Sequence, residues 1–300
     1  MSTNLQDYVE LLNAEQYVQV DKLRENARHG IAPRVRGEVW LYLLSVLVPD
    51  KTSEITSLLS LNSTYQALPL SMPSNLTSLL LKTALNHHTK RFFNPTYAGL
   101  ISSITAEPET LSSSTSPMFL AENHKPPPPL RLSESDGTTL RSENTRLLPP
   151  PPSSPPSRHG YMSMMEEVLG KFYHAELARG HDEEYRRGSY GLEDSERDWV
   201  YLATPFMCCL SRPVAVSLGF QKLMQRLESF PSLPSRIASL VTLFRLSLPE
   251  LFAYFEDEQV PYIDVAMSWS KTLLAREMWL GNVLRLWGKE GSWKQKTDCF

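Results

Sequence analysis

The chain has 300 residues, 41% of them apolar, with 30 basic and 33 acidic side chains; that apolar share supports a packed core, and a net charge of -3 lacks the basic excess that neutralises nucleic-acid phosphates. Its three cysteines, adjacent Cys208 and Cys209 plus Cys299, form neither an even disulfide framework nor a C-x-x-C pair. With no basic and apolar leader and no charge-free run of about 18 apolar residues, the chain is expected to be reduced, cytoplasmic and without a transmembrane segment.

Leu5, Val9 and Leu12 recur at helical spacing and predict a helix within an N-terminal extension, residues 1–20. The first part of the domain, residues 21–101, opens with "HGIAPRVRGEVWLYLL" (29–44), which passes Pro33 into a helix carrying Val35, Val39 and Leu43 on one face and closed by Pro49. Arg36 and Trp40 share a face at i, i+4, so the guanidinium is placed to stack on the indole or to reach a buried carboxylate. Further on, "LNHHTKRFFNP" (85–95) reads as a short helix stopped by Pro95. His87 and His88 point in different directions and have no acidic or thiol neighbour at ligand spacing, so no metal site is expected. A solitary arginine at a helix end, as Arg91 is, ordinarily complements the helix dipole.

Residues 102–160 are a serine and proline mixture, "HKPPPPLRLSESDG" and "LLPPPPSSPPS" among them, too poor in apolar area to offset the entropy of ordering. They are expected to form a disordered insert, whose proline runs suit either an aromatic-lined groove on a partner or a solvated loop. The second part of the domain, residues 161–288, resumes helical spacing at Met162, Met165, Leu169 and Phe172. "WVYLATPFMCCL" (199–210) is apolar nearly all round and belongs in a core, with Pro205 inside it. Ile237, Leu240, Phe244 and Leu248 continue the pattern, and "AMSWSKTLLAREMWLGNVLRLWG" (266–288) predicts two helices with a break near Leu280 and Gly281. Residues 289–300 are a polar tail. Alternating β-branched runs are scarce, so the fold class is all-α. Nucleotide-cradling, nucleophile-elbow and zinc-binding signatures are absent, and no cofactor of the chain's own is expected.

"G-I-x-P-x-x-R-G-x-V-W" over 30–40, followed far downstream by "W-x-x-x-L-L-x-R-E" and "V-L-R-L-W", resembles the TBC family, the Rab GTPase-activating proteins. The resemblance spans about residues 20–101 and 161–288 and implies an all-helical domain interrupted by the insert. It also implies a Rab-family small GTPase as partner, with GTP and Mg bound by that partner, and a place in vesicle trafficking on the cytoplasmic side of endomembranes. The chain would then be a GTPase activator rather than a self-contained enzyme.

The family's middle motif, I-x-x-D-x-x-R, ends in the catalytic arginine finger. Leu85 stands at its isoleucine, His88 at its aspartate and Arg91 at its arginine. A trans-acting guanidinium spans phosphate oxygens, stays charged and contributes about 10³ to 10⁵ in rate in GTP hydrolysis. The second motif, Y-x-Q-G-M, is degenerate: counting back from "LATPF", Arg197 stands at the glutamine that orients water, and Ser195 at the tyrosine. Arg36 and Trp40 form the first motif's support, and Arg285, Leu286 and Trp287 the C-terminal one. After Trp287 the family continues into an aspartate and further apolar helices, whereas Gly288 and a polar tail follow here, as in an incomplete domain. Three readings follow: an active Rab GTPase activator, a TBC-type scaffold that binds a small GTPase or trafficking partner without activating it, and a helical adaptor working through its insert.

Overall fold

Apolar residues spaced three and four apart give each segment one face that must leave water, and packing those faces together organises the chain. The structure is a computed structural model that describes residues 5–91, 158–179 and 192–289. Among these, the regular elements are twelve α-helices and one isolated β-bridge, Tyr17 to Asp50, in agreement with the all-α expectation. The expected insert and polar tail fall mostly outside the described residues.

Helices α1 (Leu5–Leu12) and α2 (Val20–Ala27) bury Tyr8, Leu12, Leu23 and Ala27. The N-terminal extension therefore packs into the same core as the rest. Between α2 and the next helix, Gly30 takes φ +113°, which a side chain would strain, and its carbonyl accepts the Tyr8 hydroxyl at 2.9 Å. Helix α3 (Arg36–Leu43) buries every residue except Glu38, as befits the centre of a core. Asp50 caps α4 (Lys51–Ala67) by accepting from the Thr52 amide at 2.9 Å. The far end of α4 is closed by a buried lysine from another helix: Lys171 Nζ donates to the carbonyls of Tyr65 at 2.8 Å and Leu68 at 3.1 Å. An ammonium at a helix C-terminus satisfies orphan carbonyls and complements the dipole together.

Helix α5 (Ser74–Arg91) buries Leu76, Leu80, Ala84 and His88, an i, i+4 row in which the last position is histidine. Its partner α6 (Arg158–Ala178) starts three residues ahead of the expected domain boundary. The rings of His88 and Tyr161 lie 4.8 Å apart, so the end of α5 and the start of α6 meet in the core. Helix α7 (Leu192–Cys209) contains Pro205 and packs against α3, α5, α6 and α8 (Pro213–Glu228). At the crossing with α3, a Cβ on Gly37 would sit 2.5 Å from the Cys209 carbonyl oxygen and 2.6 Å from Leu210 Cδ2. Only glycine admits that approach.

Helices α9 (Leu233–Ser247), α10 (Pro249–Asp257) and α11 (Tyr262–Thr272) form a peripheral unit, tied to the core where α11 meets α7. Its own small nucleus is aromatic: Phe244, Phe252, Phe255 and Tyr262 pack edge to face. The helical spacing of Ile237, Leu240, Phe244 and Leu248 is realised, but Leu240 and Leu248 remain exposed, because among the described residues α9 packs mainly on α10 and α11. The chain break expected near Leu280 and Gly281 lies earlier. Leu273 and Leu274, at φ 48° and 66°, end α11 in left-handed conformation, and Leu280 and Gly281 instead open α12 (Leu280–Lys289). No single described helix is long and apolar enough to cross a membrane, and α9 with α10, which together reach that length, are bent by 112°.

Two outcomes are expected. Replacing residues 95–154 with an eight-residue Gly/Ser linker should leave a cooperatively folding helical protein whose Tm, read by circular dichroism, moves by no more than about 5 °C; loss of the transition would show that the end of α5 and the start of α6 are not adjacent. Gly37→Ala should lower the urea-unfolding free energy by about 3 kcal/mol through overpacking against backbone, and a change below about 1 kcal/mol would show that α3 and α7 can part at no cost.

Candidate functional site

The segments that resemble family motifs are far apart in the chain and meet in the core. Trp40 of α3 packs edge-on against Phe206 of α7 with centroids 5.5 Å apart, and tilts against Trp287 of α12 at 6.0 Å; Phe206 and Trp287 close the trio at 6.1 Å. The Trp287 indole N–H donates to the carbonyl of left-handed Leu273 at 3.1 Å, pinning the turn between α11 and α12. Within the C-terminal motif only Trp287 is fully inside: Leu286 is half-buried and Arg285 exposed.

Arg36 is buried at the crossing of α3 and α7, but neither expected use of its guanidinium is realised. It neither stacks on Trp40 nor pairs with a carboxylate; one Nη donates to the Ile31 carbonyl at 3.1 Å, and the Cys209 thiol lies within hydrogen-bond reach. The reason is position: Arg36 lies against the C-terminal end of α7, where a cation is favoured by the helix dipole. Burial pushes the Cys209 thiol up to about 11, with the guanidinium pulling the other way. That thiol is a packing group, not a nucleophile.

The second junction is built round Tyr201 of α7. His87, near the end of α5, meets its ring edge-on with centroids 5.0 Å apart, and the Arg276 guanidinium lies 5.8 Å from the ring centroid. The middle-motif region and the segment carrying Arg276 therefore both touch one aromatic side chain of α7. Arg91, the last residue of α5, is four positions beyond His87, and Arg197 is four positions before Tyr201. Each is one helical turn, about 5.4 Å of rise, from this contact. The two helices that carry the candidate finger and the degenerate glutamine position are thus neighbours. Arg197 is half-buried, and Glu196 and Asp198 beside it are buried. The Arg91 side chain lies outside the described residues.

Of the other motif positions, Leu85 is half-buried and His88 fully buried. His88 packs on Tyr161, whose hydroxyl lies 2.9 Å from Thr204 Oγ1, and Thr204 donates to the Val200 carbonyl at 2.7 Å. Burial holds the Tyr161 phenol well above its ordinary pKa, so it remains a donor. The Tyr161–Thr204 contact spans 43 positions in sequence and no local pattern pointed to it. His88 had a signal in retrospect, since it extends the buried row of Leu76, Leu80 and Ala84. Among the described residues, no group of three His, Cys, Asp or Glu side chains is placed to hold a metal ion.

No known family profile matches the sequence, and no curated protein matches it. By structure, the chain is similar to the crystal structure of the Ypt/Rab-GAP domain of Gyp1p, with a TM-score of 0.50 at 15% identity, covering 96% of this chain and 78% of that one. At that identity the likeness concerns fold alone: this chain has an all-α fold of the TBC type.

Proposed function

We propose that the chain stimulates GTP hydrolysis by a Rab-type small GTPase, with Arg91 entering the partner's site as an arginine finger. The observation that carries this reading is the end of α5: it stops on Arg91 beside the Tyr201 junction, in a fold similar to a Ypt/Rab-GAP domain. In this reading GTP and Mg belong to the partner, and the chain contributes charge and position. Hydrolysis spreads negative charge over the transferring phosphoryl oxygens, which the planar guanidinium of Arg91 neutralises from outside the GTPase. Arg197 has no carbonyl side chain with which to accept from and orient a water, so the partner's own glutamine orients the nucleophile. The chain would reach endomembranes from the cytoplasm through its GTPase.

Two departures from the resembled motifs favour the alternative, a TBC-type scaffold that binds without activating: Arg197 stands where the resemblance places the water-orienting glutamine, and His88, a buried ring, stands where it places an aspartate. Single-turnover hydrolysis by a panel of GTP-loaded Rabs, with the wild-type chain beside Arg91→Ala, separates the two. Acceleration of at least about 10²-fold for one Rab, abolished by Arg91→Ala, is the expected result for a finger worth about 10³ or more. Folded protein that binds a GTP-loaded Rab yet accelerates none would instead establish the scaffold.

A further inference from the structure

We infer that Tyr161 is a positioning residue for Arg91, holding the last turn of α5 against α7; the inference rests on the arginine-finger reading. A finger contributes only if its helix end is held to within about 0.5 Å of the productive geometry. A helix terminus is poorly suited to this by itself, because its last four carbonyls lack intrahelical donors and its last turn opens most readily. The end of α5 needs lateral restraint, and the structure supplies it through aromatic and hydroxyl groups.

His88, three residues before Arg91, is fully buried with its ring against that of Tyr161, in the first turn of α6. Tyr161 is itself fully buried, and its hydroxyl reaches Thr204 Oγ1 on α7 at 2.9 Å. Because the Thr204 hydroxyl hydrogen is directed at the Val200 carbonyl, Tyr161 is the donor to Thr204. The chain of contacts is thus ring on ring from α5 to α6, then hydroxyl to hydroxyl from α6 to α7. It joins the helix bearing Arg91 to the helix bearing Arg197. The resemblance places an aspartate at position 88; here a ring fills that position, and Tyr161 is the surface it packs on. Buried polar contacts of this kind fix one arrangement, because any slip leaves a hydroxyl without its partner in a dry interior.

Tyr161→Phe keeps the ring and removes the hydroxyl, and Thr204→Val removes the acceptor at nearly constant volume. In single-turnover hydrolysis with a responsive Rab, each is expected to lower the maximal rate about tenfold, the loss of roughly one buried hydrogen bond, while the half-saturating concentration of the chain stays within about twofold. The double variant should be no worse than either single one, since both remove the same bond. Amide hydrogen exchange of residues 87–91 should speed up in both variants while that of α8 stays unchanged, which a global loss of stability would not produce. Wild-type rates for Tyr161→Phe, in an assay where Arg91→Ala is inactive, would overturn the positioning role and leave the finger reading intact. Full activity of Arg91→Ala, or no response from any Rab, would remove the finger and the positioning role with it. Unchanged exchange at 87–91 would separately overturn the anchoring of α5 by Tyr161, whatever the hydrolysis assay shows.

Discussion

The structure depends on one close approach, that of α3 to the C-terminal end of α7. The missing side chain of Gly37 lets the Cys209 carbonyl come nearer than any Cβ allows. Once the two helices are that close, Trp40 and Phe206 meet, and Trp287 from the far end of the chain completes the aromatic trio. Aromatic groups of this size dominate core energetics through the area they remove from water, and their edge-to-face contacts add directionality. A crossing set wider by one methyl group would separate Trp40 from Phe206 and leave Trp287 without a seat.

The same crossing carries a polar cost. The Nε of Arg36 and the indole N–H of Trp40 are buried without an acceptor among the described residues, and burying such groups is unfavourable by about 1–3 kcal/mol each. The α7 dipole and the Ile31 carbonyl offset part of this for Arg36, and the aromatic trio offsets it for Trp40. The buried ammonium of Lys171 is, by contrast, satisfied. Lys171 spends its ammonium on two carbonyls at the end of α4 and lies 4.3 Å from the centre of the Tyr65 ring, while the Tyr65 hydroxyl donates to Glu167 at 2.7 Å. These contacts tie α4 to α6 across about a hundred residues of sequence.

Stability and accessibility are unevenly distributed as a result. The crossings of α3, α5, α6, α7 and α8 form the dry core, whereas α9 and α10 rest on a small aromatic nucleus and leave Leu243, Leu246 and Leu251 exposed. The junction round Tyr201 lies between these regimes. Tyr201 is half-buried and receives His87 from the core side of the bundle and Arg276 from the α11–α12 turn.

Helical periodicity alone determined the all-α class, because apolar residues three and four apart have no other use than a helical face. It also determined that residues 199–210 are central, because a helix apolar all round has nowhere else to go. The pairing of "G-I-x-P-x-x-R-G-x-V-W" with "V-L-R-L-W" was legible as a resemblance, and Gly30 and Gly37 now have physical roles in a turn and a crossing. What remained for the tertiary structure was every relation between distant residues. The partner of Arg36 turned out to be the Ile31 carbonyl in the turn before its own helix, the break before α12 begins at Leu273, whose carbonyl accepts the Trp287 indole N–H, and the spacing of Leu240 and Leu248 did not guarantee their burial. Tyr161 and Thr204 could not be paired in advance, since hydroxyls find each other only after two helices have docked. Local spacing specifies which face of a helix is apolar; which neighbour covers that face is decided by the simultaneous packing of all of them.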